Sequence, residues 1–176
     1  MKILIVSDTH KRDENLRAAI RKELPFDIMI HLGDTEGSEI YFQDWVRSDR
    51  CFIYTVRGNN DFFSMSPSER IVRIGKHKVL LTHGHQYGVS MSTERLREEA
   101  KSRGADIAMF GHSHRPHMTR KDGIICLNPG SLSFPRQADR KATYVVMTTD
   151  EDGEAGFRLG TVEPTDLEEL RLDPEW

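Results

Sequence analysis

The sequence predicts an α/β fold (α+β in some schemes) of two sheets packed face to face and flanked by helices. Three observations support this. Short apolar runs without polar interruption recur along the chain, helical patterns separate them in the first half, and hairpin signals replace those helices in the second.

Residues 3–6 (Ile-Leu-Ile-Val) form the first run, continuous in the way that suits a strand covered on both faces, and stop at Ser7-Asp8-Thr9-His10. Asp13 is placed to cap a helix carrying Leu16, Ala19, Ile20 and Leu24 on one face. Residues 26–32 end at Gly33-Asp34, and Ser38 is the expected cap of a second helix with Tyr41, Phe42, Trp45 and Val46. Residues 52–56 end at Arg57-Gly58-Asn59-Asn60-Asp61. This strand–helix–strand order predicts parallel strands with right-handed crossovers.

Residues 71–74 and 78–81 flank Gly75-Lys76-His77 as a hairpin, and the second of these runs ends at Thr82-His83-Gly84-His85. Thr93 opens a third helix with Leu96 and Ala100, stopped by Gly104. Residues 107–110 end at Gly111-His112-Ser113-His114, and a last hairpin joins 142–149 to 155–162. The acidic stretch 164–176 reads as a solvated tail or short helix.

At 176 residues and 37% hydrophobic, the chain suits one domain, residues 1–176, with a core of its own. A net charge of −3 with mixed acids and bases gives no basic field for general nucleic-acid binding. Cys51 and Cys126 sit in apolar runs and read as small buried side chains in a reducing compartment. No apolar run approaches the roughly 20 residues that span a bilayer, and the first is too short for a secretory signal. The expected location is the cytoplasm, with no membrane partner.

The chemistry lies at the strand ends. Asp8, His10, Asp34, Asn59, His83, His112 and His114 come from five such ends, where the loops of an α/β sheet converge on a ligand. Asp8/His10 and His112/His114 are spaced i, i+2, which in an extended segment points both side chains the same way. One Asp or His at a strand end is usually a turn former, but five ends carrying ligand-type residues together need another explanation. Oxygen and imidazole donors without thiolate suit a catalytic site for manganese, with nickel, cobalt, iron or zinc as alternatives. The donors exceed what one ion with open positions needs; two ions about 3.5–4 Å apart, sharing a carboxylate, would use them.

These blocks, in this order, resemble the calcineurin-like metallophosphoesterases. The small size, Gly111-His112-Ser113-His114-Arg115-Pro116 and Asn128-Pro129-Gly130-Ser131 are similar to the YfcE-like phosphodiesterase branch. The resemblance covers about residues 1–148 and implies a four-layer α-β-β-α sandwich with metals at one edge of the paired sheets. It implies one ion on Asp8, His10, Asp34 and His114, and a second on Asp34, Asn59, His83 and His112, with Asp34 bridging. A bridging hydroxide would then attack a small phosphodiester in line. Where many members carry a histidine that helps protonate the leaving group, this chain has Asn60, which can donate a hydrogen bond but is no acid. That departure favours a diester over a monoester substrate.

The same resemblance allows two alternatives: a nuclease-type phosphoesterase, and a non-catalytic protein-binding scaffold like a retromer subunit. The short chain and net charge argue against the first, the complete ligand set against the second. Of the remaining polar groups, Asn60 and His85 are candidates for catalysis, and Asn60, Ser131 and Arg136 for substrate contact. Arg115 is a further phosphate-clamp candidate and His117 a substrate-edge one. His31 reads as a core or supporting histidine, and His77 as solvent-facing. Residues 61–70, with Phe62, Phe63, Met65 and Pro67, are either a loop over the site or aromatic anchors to the core. An exposed Tyr87 or Val89 would serve a homo-oligomer interface.

Overall fold

Strand β1 (Lys2–Val6) shows why its run is apolar throughout. Ile3 and Ile5 point into a cluster shared with Ile30, Val79, Leu81, Ile107 and Leu127, whereas Leu4 and Val6 point the other way, among Leu16, Ile20, Phe42 and Tyr144. Both faces are covered, so no polar alternation survives. The structure is a computed structural model, and it describes residues 1–173.

The first sheet contains β1, β2 (Ile28–His31), β3 (Phe52–Thr55), β9 (Thr143–Thr149) and β10 (Ala155–Thr161). The second contains β4 (Glu69–Ile74), β5 (His77–Thr82), β6 (Ile107–Met109), β7 (Pro116–Lys121) and β8 (Ile124–Pro129). Their orders are β10-β9-β1-β2-β3 and β4-β5-β6-β8-β7. In the first, β1, β2 and β3 run parallel; in the second, β5, β6 and β8 do; antiparallel strands complete the edges. Helices α1 (Glu14–Glu23) and α2 (Phe42–Val46) cover the outer face of the first sheet, and α3 (Glu94–Ser102) that of the second. The layers are therefore α-β-β-α, and the parallel strands of both sheets deliver their carboxyl ends to one edge.

Several local expectations need correction. Asp13 sits at the head of α1 but makes no capping bond; its carboxylate accepts from the Ser38 hydroxyl at 2.7 Å. Ser38 thus caps nothing either: residues 38–41 form a 3-10 turn, and α2 begins only at Phe42. Strand β7 was not expected, because its side chains are mostly exposed and polar, yet Asp122-Gly123 between Lys121 and Ile124 is a two-residue hairpin signal, with both φ angles positive. His77 is buried, not solvent-facing: pairing with Ile74 directs it inward, where Nδ1 meets Asp106 at 2.5 Å.

Val89 is also buried, and the Tyr87 hydroxyl is tied to Glu69, so neither offers the exposed interface side chain expected. Residues 164–172 form helix α4 (Pro164–Leu172), held on α1 by Arg21–Glu169 and Lys22–Asp166 pairs at 2.9 and 2.8 Å. Residues 174–176 of the expected tail lie outside the described residues.

One buried ion pair makes a stability prediction. Glu23 closes α1 with 6% of its side chain exposed, accepting from Tyr144 Oη at 2.8 Å and from Arg158 at 2.8 and 2.9 Å, with Lys2 Nζ 3.1 Å away. Burial works to raise its pKa, but these partners outweigh it and hold the carboxyl below its ordinary value. Glu23→Ala is expected to cost about 2 kcal/mol in urea unfolding at pH 7, chiefly by leaving the buried Tyr144 hydroxyl without its acceptor, since Arg158 and Lys2 reach solvent. A depressed folded pKa contributes stability that is complete above the unfolded value of about 4.3 and lost as pH falls through the folded one. The penalty should therefore shrink below about pH 4, and a pH-independent penalty would contradict the ion-pair account.

Candidate metal centre

The loops that follow the parallel strands adopt a backbone that ordinary side chains avoid. Asp8, His10, Asp34, His112 and His114 all have φ between 47° and 65°. Asp and His tolerate this left-handed region better than most residues, but it persists only where the surroundings enforce it. Here Asp8 N–H donates to Gly33 C=O at 3.1 Å and His10 N–H to Asp34 C=O at 2.9 Å, tying the β1 loop to the β2 loop. The i, i+2 pairs thus do converge, but through these turns and not through the extended alternation expected of them. Two glycines permit the close approach. A Cβ on Gly58 would lie 2.1 Å from Asp34 Oδ1, and one on Gly111 would lie 2.0 Å from Ser7 Oγ.

The side chains fall into two groups that share Asp34. In the first, one ligand atom each from Asp8, His10, Asp34 and His114 lies within 4.8 Å of the others. His10 Nε2 stands 3.3 Å from His114 Nε2 and 3.7 Å from Asp34 Oδ2, and His114 Nε2 is 3.2 Å from Asp8 Oδ1. In the second, Asn59 Oδ1 lies 3.1 Å from His83 Nε2 and 2.9 Å from His112 Nδ1, with His83 Nε2 3.4 Å from the same Asp34 Oδ2.

Acceptors behind the rings decide which nitrogens face the site. Nδ1 of His10 meets Glu36 Oε1 at 2.7 Å, that of His83 meets Leu32 C=O at 2.7 Å, and that of His114 meets Phe134 C=O at 2.8 Å. A proton on each Nδ1 leaves the Nε2 lone pairs aimed inward. Lone pairs of His10 and His114 then oppose each other at 3.3 Å, and Asp8 Oδ1 is fully buried with no hydrogen-bond donor. Such an arrangement is costly unless a cation occupies it. The charges agree. Burial opposes ionisation of Asp8 and Asp34, yet the neighbouring histidines, joined at Asp34 by the Asn60 amide, hold both carboxyls below the usual range. Burial likewise opposes a charge on His83, but the Asp34 and Asp8 carboxylates raise its pKa. The same carboxylates that favour a proton on His83 against burial, with imidazole nitrogens around them, are the donor types a divalent cation takes, so the donor set fits.

The other predicted site residues are placed unevenly. Asn60 donates from its backbone N–H to Asp34 Oδ1 at 2.9 Å and from its carboxamide to Asp34 Oδ2 at 2.7 Å. His85 is exposed, its ring 5.5 Å from that of His83 and 6.1 Å from that of His112. Arg136 is exposed in an open cleft with His10, His114 and Arg140, the last of which the sequence reading did not single out. Arg115 donates to the Arg136 carbonyl at 3.3 Å, and His117 packs its ring against Phe110, away from the ligands.

Ser131 is a correction: it is fully buried and its hydroxyl donates to Asp8 C=O at 2.8 Å, so it braces the β1 loop and does not face the site's mouth. His31 is buried against Thr9 and Phe42, and burial lowers its pKa to about 4, keeping it neutral. Phe62 and Phe63 are exposed, which excludes their anchoring the loop in the core.

Asp61 was overlooked. Its buried carboxylate accepts from Asp34 N–H at 2.8 Å, Gly58 N–H at 2.7 Å, Glu36 N–H at 2.6 Å and Thr35 Oγ1 at 3.2 Å. An Asp after Gly-Asn-Asn reads as a turn former, and only the three-dimensional pairing shows that it holds the β2 and β3 loops together.

Comparison with known proteins agrees with this geometry. The family model for the calcineurin-like phosphoesterase superfamily domain matches residues 1–152. A probable metallophosphoesterase of Bacillus subtilis, YsnB, is 34% identical over 173 residues, covering 97% of each chain. The vacuolar protein sorting-associated protein 29 of Schizosaccharomyces pombe is 31% identical over 138 residues, 76% of this chain and 73% of that one. Among solved structures, a predicted phosphoesterase of Streptococcus pneumoniae superposes with a TM-score of 0.71 at 26% identity, over 92% of this chain and 97% of that one.

Proposed function

The chain belongs to the calcineurin-like phosphoesterase superfamily, and on that premise we propose that it hydrolyses a small phosphodiester at a centre of two divalent cations. It is a phosphoric ester hydrolase; the finer reading concerns its substrate and its metals. The observation that carries it is the position of Asp34 Oδ2, 3.7 Å from His10 Nε2 and 3.4 Å from His83 Nε2, between two groups of inward-facing donors.

Asp8, His10, Asp34 and His114 would hold one cation, and Asp34, Asn59, His83 and His112 the other, manganese being the ion proposed. Such ions, when bound, lower the pKa of water into the neutral range and neutralise charge on the phosphoryl oxygens. The protein's own contribution is positional. Glu36, the Leu32 carbonyl and the Phe134 carbonyl fix three imidazoles in the tautomer that presents Nε2. Asn60 and His85 flank the mouth and would meet the substrate, Asn60 by turning its carboxamide from Asp34 to a phosphoryl oxygen. Arg136 lies in the open cleft beside His10 and His114, where a guanidinium can clamp a phosphoryl oxygen.

With Asn60 in place of an acid at the leaving-group position, an unactivated monoester is served poorly, and this favours diesters. The manganese-loaded protein is expected to turn over a phosphodiester with a kcat/KM at least about 10²-fold above that for the phosphomonoester of the same alcohol, the low end of what one proton donor supplies. Comparable rates on that monoester would overturn the diester assignment. Failure to hydrolyse either class with any of manganese, nickel, cobalt, iron or zinc would leave the scaffold reading.

A further inference from the structure

We propose that Arg140, in the cleft that His10 and His114 themselves line, recognises a second anionic group of the substrate, a phosphate or carboxylate on the substituent beside the reacting phosphodiester. This rests on the hydrolase reading above and narrows its substrate class. The cleft has a volume of about 650 Å³, and its other walls are Ser133, Phe134, Pro135, Arg136 and Arg140. Two of the donors gathered around the candidate metal position also form this wall, so a substituent on a phosphorus held there enters the cleft directly.

The segment that supplies the two arginines is fixed to the loops that carry those donors. Ser133 Oγ donates to Thr9 C=O at 2.6 Å, His114 Nδ1 meets Phe134 C=O at 2.8 Å, and Arg136 N–H donates to His114 C=O at 3.0 Å. The Phe134 ring stands 5.3 Å from the His10 ring, with the Arg12 guanidinium 4.4 Å from its centroid. Arg140 closes the segment with a φ of +55°, and its guanidinium donates to Pro135 C=O at 3.0 Å. That bond uses one N–H and leaves the other donors of the fork available.

Charge identifies the occupant. Among the described residues no carboxylate lines this cleft; Asp139, the one acid of residues 133–140, accepts from Lys141 N–H at 3.2 Å. The acids near the centre, Glu36 and Glu39, line a separate cleft. In a chain of net charge −3, two guanidiniums side by side without a carboxylate are a local excess of positive charge. The reacting group does not use it. Two divalent cations would be balanced by the Asp8 and Asp34 carboxylates, a hydroxide and the phosphodiester's own charge, and Arg136 suffices to clamp a phosphoryl oxygen. Arg140 is left for a further anion, and a guanidinium donates to phosphate or carboxylate through two parallel hydrogen bonds.

The test titrates the manganese-loaded protein calorimetrically with three phosphonates that cannot be hydrolysed: propylphosphonate, 3-phosphonopropanoate and propane-1,3-diphosphonate. Each offers one phosphonate to the metals; the second adds a carboxylate and the third another phosphonate, which separates the two sources of charge. At least one of these two should bind about fivefold more tightly than propylphosphonate, the upper range of an exposed ion pair, and Arg140→Gln should bring that ratio below about twofold. The ratio is taken within each protein, so a general weakening of the centre cancels. Circular dichroism and metal content confirm that the variant is folded and loaded. Equal affinities of all three for the wild type, or a preference that survives Arg140→Gln, would overturn the proposal.

Turnover of p-nitrophenyl phosphodiesters carrying the same three arms separates this claim from the one it rests on. A binding preference without hydrolysis of any diester sinks the diesterase reading alone. Hydrolysis of all three without a binding preference sinks the second-anion site alone. In the active protein the preferred anion should lower KM and leave kcat nearly unchanged, because Arg140 meets the arm and not the reacting phosphorus. A preference confined to kcat would overturn the assignment.

Discussion

Replacing Asp34 by asparagine is expected to lower kcat of the manganese-loaded protein by about 10³-fold while the domain stays folded. The reasoning is local. Asparagine has the same shape and is one of the few residues at ease with the φ of +56° found there, so the turn survives. The Asn60 backbone N–H still meets an acceptor, although the second carboxylate oxygen, which takes the Asn60 carboxamide at 2.7 Å, becomes an amide that has to reorient. What is lost is the negative charge that both donor groups share. His83 and the Asn60 amide keep that carboxyl ionised at every working pH, so the substitution removes a full charge. Metal content should fall below two ions per chain. Turnover within about tenfold of wild type, with metal content unchanged, would show that Asp34 does not bridge.

Removing Asp61 should have the largest effect on stability. Its carboxylate accepts from the backbone N–H groups of Asp34, Gly58 and Glu36, and alanine leaves these three without that acceptor, while the Thr35 hydroxyl keeps Glu39. At about 1–3 kcal/mol for each unsatisfied buried donor, a loss of 3 kcal/mol or more follows, about 10 °C in Tm for a chain of this size. Activity should fall as well, because the same bonds align Asp34 and the Asn59–Asn60 loop. Should Asp61→Ala fail to fold, Asp61→Asn is the milder version: it keeps acceptor oxygen on one side and opposes N–H to N–H on the other. A melting temperature unchanged in Asp61→Asn would contradict the role given to this carboxylate.

The donor residues were legible because chemistry restricts them: Asp, Asn and His at the ends of five apolar runs have few other reasons to recur together. The sheets were legible for the same kind of reason, since strands buried on both faces tolerate no polar residue. What the sequence concealed is what tertiary pairing decides. Residues 116–121 carry exposed polar side chains and look like a loop, yet they form β7 because β8 offers an edge. His77 sits beside a turn and looks solvated, but the register turns it toward Asp106. Ser131 looks like a phosphate contact mainly by the resemblance of Asn128-Pro129-Gly130-Ser131, since Pro-Gly alone is an ordinary turn signal, and its hydroxyl is used beneath the Asp8 turn instead. Asp61 was hidden because its partners come from residues 34–36, some 25 positions away and brought close only by the parallel pairing of β2 and β3.

Anomalous diffraction at the manganese edge, on crystals of the manganese-loaded protein, tests the shared-carboxylate centre most directly. Two peaks about 3.5–4 Å apart should appear, both within bonding distance of Asp34, one beside His10 and His114 and the other beside His83 and His112. A single peak under saturating manganese, or ions bound away from Asp34, would contradict the account.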